Sequence, residues 1–123
     1  MNILVDSSVI IDYLRRKDSE NSLFVEIKNQ YSMVVSFVTV TELFSGSSIK
    51  NPKTRDFVEK ILSGMIIKLP DFEDIKNAGL LREQYNLSLG DGFIAQLAVK
   101  DNLQLATLDK KDFGRVKGIK LYE

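Results

Sequence analysis

The 123-residue sequence contains no cysteine and no histidine. The first absence removes disulfides, thiolate zinc sites and thiol nucleophiles. The second removes the commonest acid/base group at neutral pH, and with it every Ser-His-Asp or paired-histidine mechanism. Chemistry in this chain must therefore run on carboxylates, lysine, hydroxyls or a bound metal ion. Tryptophan is absent as well, proline occurs twice and glycine seven times, and no segment has the composition of a linker, a repeat or a low-complexity tract. An excess of either charge is missing too, because 17 basic and 17 acidic residues cancel. A nucleic-acid partner would have to meet a local basic patch rather than a globally basic protein. No apolar run approaches the ~20 residues that cross a bilayer. The N-terminus has no basic region ahead of its short apolar run, so no secretory signal is read there. A cytoplasmic protein without membrane association is expected.

With 44% hydrophobic and 28% charged residues, the composition is that of an ordinary globular protein. The length predicts one domain, residues 1–123, built on one core. Residues 2–5 (NILV) and 33–38 (MVVSFV) are short apolar runs of the kind found in strands buried on both faces, and 65–69, 104–107 and 119–122 are weaker strand candidates. Helical spacing is read over 8–16, 20–30, 40–47, 53–63, 71–85 and 91–101. In the fourth of these, Phe57, Val58, Ile61 and Leu62 form one apolar stripe. Pro70 and Asp71 open the longest helix, whose Phe72, Ile75, Leu80 and Leu81 are expected to face inward, leaving Glu73, Lys76 and Arg82 for solvent. Strands alternating with helices predict an α/β fold with a mainly parallel sheet covered on both faces, and ligands of such sheets bind beyond the carboxyl ends of the strands.

Four acids stand at or near that edge. Asp6 follows the first strand directly, Glu42 opens the helix TVTELFSG after the second, Asp109 follows QLAT after one residue, and Asp91 opens the helix of SLGDGFIAQLAV. Each has a purely structural alternative: Thr39-x-x-Glu42 and Ser88-x-x-Asp91 match the capping box, and Asp6 and Asp109 suit N-cap positions. Their coincidence on one edge favours a site. Two carboxylates ~5 Å apart repel by roughly 3 kcal/mol at an effective dielectric of 20. With no histidine, and no lysine or arginine inside DSSV, TVTEL or GDGFIAQ, a divalent cation is the natural compensation. Oxygen-only ligands select Mg²⁺ or Mn²⁺ over zinc, and Mg²⁺ commonly bridges carboxylates to substrate phosphates.

Taken together, Asp6-Ser7-Ser8-Val9-Ile10-Ile11, Thr39-Val40-Thr41-Glu42-Leu43, Leu89-Gly90-Asp91-Gly92-Phe93-Ile94-Ala95 and Ala106-Thr107-Leu108-Asp109-Lys110-Lys111-Asp112-Phe113 make the chain resemble PIN-domain proteins, specifically the VapC-type toxins of toxin–antitoxin pairs. The resemblance runs nearly end to end and rests on the order and spacing of the motifs. It implies a three-layer α/β/α fold with about five strands. It also implies a Mg²⁺- or Mn²⁺-dependent endoribonuclease whose catalytic and metal-holding quartet is Asp6, Glu42, Asp91 and Asp109. Ser7 or Ser8 would orient a carboxylate or a metal water, with helix capping as the alternative, and Asp112 would be a supporting acid or an exposed helix residue. The sequence departs from the family at Gly92, where Ala or Cys is more usual. Glycine there costs up to ~1 kcal/mol of helix propensity and is expected to loosen Asp91.

For an RNA substrate the candidate basic groups are Arg15, Arg16 and Lys17; Lys50, Lys53 and Arg55; and Lys110 and Lys111. Only the last pair is placed near the acids by sequence, as substrate-binding candidates. Phe93 or Tyr13 could stack on a base, although core packing explains both. The resemblance further implies a homodimer and a VapB-like antitoxin, with Phe44, Ile49 and Phe57 as candidate interface residues. The competing readings are a non-catalytic PIN-like module that binds RNA or protein, and a DNA-directed flap-type nuclease. A haloacid-dehalogenase phosphatase is disfavoured, because its second Asp would fall at Ser8.

Overall fold

A computed structural model describes residues 1–123. Five strands, β1 (Asn2–Val5), β2 (Ser32–Ser36), β3 (Ile66–Lys68), β4 (Gln104–Ala106) and β5 (Lys120–Leu121), form one sheet in the order β3-β2-β1-β4-β5. Every pairing is parallel. Seven α-helices connect them: α1 (Ser7–Arg15), α2 (Leu23–Lys28), α3 (Phe37–Ser45), α4 (Pro52–Ser63), α5 (Phe72–Tyr85), α6 (Leu89–Lys100) and α7 (Lys110–Gly114). Short 3₁₀ turns precede α2 and α4.

Because successive strand residues point to opposite faces, the central strands feed two cores. Ile3 and Val5 of β1, with Met33 and Val35 of β2, pack with Val9, Ile10, Phe24, Ile27, Val58 and Leu62 from α1, α2 and α4. Leu4, Val34 and Leu105 pack on the other face with Ile94, Ala95, Leu97 and Ala98 of α6 and Phe113 of α7. This is the expected three-layer α/β/α arrangement, with the sheet parallel throughout.

Three local expectations are corrected. The run 33–38 is not all strand: Ser36 ends β2, and its hydroxyl accepts the Val38 N–H at 3.2 Å to cap α3. An unbroken apolar run carries no periodicity to show where extended chain becomes helix, so the serine is the usable signal. As a result Glu42 lies in the second turn of α3 rather than its first, and Thr39 makes no capping box. The 20–30 segment is likewise split, into a 3₁₀ turn and the six-residue α2.

Helix α5 is rotated from its expected orientation, although Leu81 does pack on the core and Glu73, Lys76 and Arg82 are exposed as expected. Phe72 and Leu80 are 74% and 60% exposed and Ile75 is exposed too, whereas Asp74 and Ala78 face inward. The reason is polar. Asp74 closes a capping box with Asp71, and its Oδ1 accepts Nε2 of Gln96 at 2.8 Å and Nζ of Lys100 at 2.7 Å, both from α6. Those charge-assisted bonds hold the Asp74 carboxyl down at a pKa of about 2 and set the rotation of α5 against α6.

Gly92 also serves this packing rather than loosening it. A Cβ at this position would collide with Cγ of Arg82 and lie 3.1 Å from the Ala78 carbonyl oxygen. Arg82 cannot simply swing away, because its Nε donates to Leu87 O at 3.2 Å. Close approach of α5 to the first turns of α6 therefore requires glycine. We predict that Gly92→Ala lowers stability by about 1–2 kcal/mol in urea denaturation despite alanine's better helix propensity. An unchanged or raised midpoint would contradict the steric role of Gly92.

Candidate functional site

The parallel register builds the site. Val5 pairs with Ala106 and the Asp6 N–H donates to Ala106 O at 3.0 Å, so the next residues of the two strands, Asp6 and Thr107, emerge side by side at the carboxyl edge. Asp6 is almost fully buried, at 5% exposure. Its Oδ1 accepts the Ser7 N–H at 2.9 Å, and its Oδ2 accepts the hydroxyls of Ser8 at 2.9 Å and Thr107 at 2.8 Å. Thr107 also accepts the Asp109 N–H at 2.9 Å, and Ser8 accepts the Leu108 N–H at 3.1 Å. These hydroxyls tie the loop after β4 to the start of α1. Ser7 reaches the other way and donates its hydroxyl to Glu42 Oε1 at 3.2 Å. Both serines thus bind carboxylates.

The four expected acids come to one edge, and capping accounts for only one of them: Asp6 is the N-cap of α1, its carboxylate accepting the Ser7 N–H, and it belongs to the site as well. Only the backbone N–H of Asp91 is engaged by the Ser88 hydroxyl, at 3.2 Å, with no return bond from the Asp91 carboxylate. Asp109 makes no side-chain cap bond at the start of α7. An open cleft of about 550 Å³ is lined by Asp6, Ser7, Ser8, Glu42, Asp91 and Asp109. Carboxylate oxygens of Asp91, Asp109 and Asp112 all fall within 4.8 Å of one another. Asp112 therefore stands beside the quartet, exposed but convergent with it.

None of these five acids forms an ion pair with a lysine or arginine. Burial, then the charges of Asp6, Asp109 and Asp112, push the Asp91 carboxyl up to a pKa of about 6, against a weaker opposing pull from Ser88. Partial desolvation likewise raises Glu42, more than the Ser7 hydroxyl lowers it, with the charge of Asp6 adding to the rise. Oxygen-only donors this close, with no cation among them, suit a hard divalent ion such as Mg²⁺ or Mn²⁺.

The basic residues are placed differently from expectation. Lys110 turns toward Glu123 at 4.0 Å, and neither it nor Lys111 is among the residues lining the cleft. Arg15 and Arg16, the last residue of α1 and its C-cap, do line it. Arg16 is occupied by Asp18 at 3.1 Å and Asp12 at 3.4 Å. Thr107 is a site residue that sequence reasoning misses. Its signal is the hydroxyl two residues ahead of Asp109, at the end of a buried strand. Phe93 and Tyr13 each pack on another ring, Phe37 at 4.9 Å and Phe24 at 4.6 Å between centroids.

Known proteins share this architecture. A ribonuclease of Mycobacterium tuberculosis, VapC10, is 29% identical over 123 residues, covering 96% of this chain and 90% of its own. Among solved structures, VapBC from Salmonella typhimurium bound to DNA superposes with a TM-score of 0.82 at 20% identity, covering 99% of this chain and 97% of that one. VapBC2 from Rickettsia felis, bound to a promoter DNA fragment, gives 0.80 at 19% identity over 99% and 98%. The profile of the PIN domain family matches residues 3–119, nearly the whole length, and the chain belongs to that family.

Proposed function

We propose that this chain is a Mg²⁺- or Mn²⁺-dependent endoribonuclease acting as the toxin of a toxin–antitoxin pair. The observation that carries the reading is the convergence of Asp6, Glu42, Asp91, Asp109 and Asp112 at the carboxyl edge with no basic side chain paired to any of them. The 29% identity to a mycobacterial ribonuclease supports the reaction type. Asp91, Asp109 and Asp112 would hold the ion, with Asp6 and Glu42 completing the ring of charge. A bound divalent ion supplies Lewis acidity and a lowered pKa for water. Ser8 and Thr107 keep the Asp6 carboxylate in one orientation, and Ser7 does the same for Glu42. Hydrolysis by water leaves a 5′-phosphate and a 3′-hydroxyl. The VapBC likenesses support a VapB-like antitoxin as inhibitor. The uncovered apolar side chains of Leu69, Phe72 and Leu80 support pairing with a second copy.

Cleavage of matched RNA and DNA oligonucleotides tests the reading. RNA is cleaved in Mg²⁺ and spared in EDTA, DNA is spared in both, and Asp91→Asn loses about 100-fold or more of the rate while still folded. Metal-independent cleavage giving cyclic phosphates would refute it.

The same substitution has a thermodynamic signature. Asp91 takes up its proton more readily folded, with a pKa of about 6 against the ordinary 3.8. The folded state therefore binds more protons between these values, and stability falls as pH rises from about 4 to about 6. For the metal-free protein, Asp91→Asn removes that slope and gains about 1 kcal/mol at pH 7, after allowing for solvent screening of a half-buried group. Parallel pH–stability curves for the two proteins would show that neither burial nor the neighbouring charges raise the Asp91 carboxyl.

A further inference from the structure

The cleft continues past the acids. Ile11, Arg15 and Glu42 line both it and a second groove of about 590 Å³ between α1, α3 and α4. Helical spacing builds its walls: Arg15 lies four residues after Ile11 on α1, and Phe57 four after Lys53 on α4. Ser47, Ser48 and Thr54 add hydroxyls to the lining. Arg15 and Lys53 are exposed and have no ion-pair partner. Phe57, expected on an apolar stripe with Val58, Ile61 and Leu62, is left 44% exposed although its ring stacks on Tyr13 at 6.3 Å. Unpaired cations, hydroxyls and a half-open aromatic face are the groups that grip single-stranded nucleic acid, through phosphates, riboses and bases respectively.

We propose that the α1–α3–α4 groove holds the nucleotides that flank the scissile phosphate of a single-stranded RNA, with Arg15 and Lys53 on phosphates and Phe57 against a base. The proposal rests on the nuclease reading and supplies its substrate track. Arg15 is the joint between the two, since it belongs to the lining of both cavities and is not engaged as Arg16 is. A protein segment, which the apolar Ile11, Leu14 and Leu43 of the lining would also receive, is the alternative occupant that the test separates from RNA.

The test uses the full chain carrying Asp91→Asn, so that RNA is bound without being cut, and a fluorescent eight-nucleotide single-stranded RNA in Mg²⁺ buffer. Adding Arg15→Gln or Lys53→Gln weakens binding several-fold and lowers the slope of log affinity against log salt by about 0.7 each, the value for one lost phosphate contact on a single strand. Phe57→Leu weakens binding about tenfold and leaves the slope alone, as loss of stacking requires. Affinity and slope indifferent to all three changes would overturn the groove assignment and leave the groove to a protein partner, with the nuclease reading intact. An equal loss in Lys120→Gln, away from the groove, would also overturn it, by tracing the effect to net charge. Failure of the unaltered chain to bind or cleave any RNA would sink both this assignment and the nuclease reading.

Discussion

Repulsion among carboxylates is the constraint around which this protein is arranged. At 4.8 Å, two ionised groups oppose each other by about 3 kcal/mol at an effective dielectric of 20, and Asp91, Asp109 and Asp112 are mutually that close or closer. A parallel sheet makes such crowding possible, because every strand delivers its carboxyl end to the same side. The crowding persists because the rest of the fold holds the acids in place. Adjacent β1 and β4 fix Asp6 beside Thr107, and the rotation of α5 against α6, set by Asp74, Gln96 and Lys100, fixes the helix that carries Asp91.

The hydroxyls decide what those acids can do. Asp6 commits one oxygen to Ser8 and Thr107 and the other to the Ser7 N–H. It is thereby rigid and already partly neutralised by dipoles. At Asp91 burial, and after it the charges of Asp6 and Asp109, outweigh the pull of Ser88, and this carboxyl carries the largest upward displacement of the group. Two neighbouring carboxyls thus sit in different environments: Asp6 is fixed in place by hydrogen bonds, and Asp91 is the one whose proton affinity is raised.

Much of this is legible in the sequence, and the omissions have physical causes. Short apolar runs, two clear and three weaker, locate all five strands, and strand-exit acids locate the edge. Glu42 reads as a first-turn residue because MVVSFV is apolar without a period, so only the Ser36 cap marks the real boundary. The orientation of α5 is hidden because its apolar residues outnumber its inward polar one, and nothing local reveals that Asp74 meets Lys100, 26 residues away. Gly92 reads as a weakness, since the Cβ-sized gap against Arg82 and Ala78 exists only in three dimensions. Proximity along the chain favours the lysines beside Asp109 over Arg15, whereas in space Arg15, at the end of α1, lines the cleft and the lysines do not.

The most direct measurement of the central claim is the thermal midpoint of the unaltered chain at pH 7 in EDTA, and then with rising Mn²⁺ or Mg²⁺. Binding to the folded state alone stabilises by RT ln(1 + [L]/Kd), so the midpoint climbs steadily with either ion, and substitution of Asp91 by Asn blunts the climb. A midpoint indifferent to millimolar Mn²⁺ and Mg²⁺ would mean that the acids tolerate one another without a cation, and that carboxylate repulsion is not what governs the site.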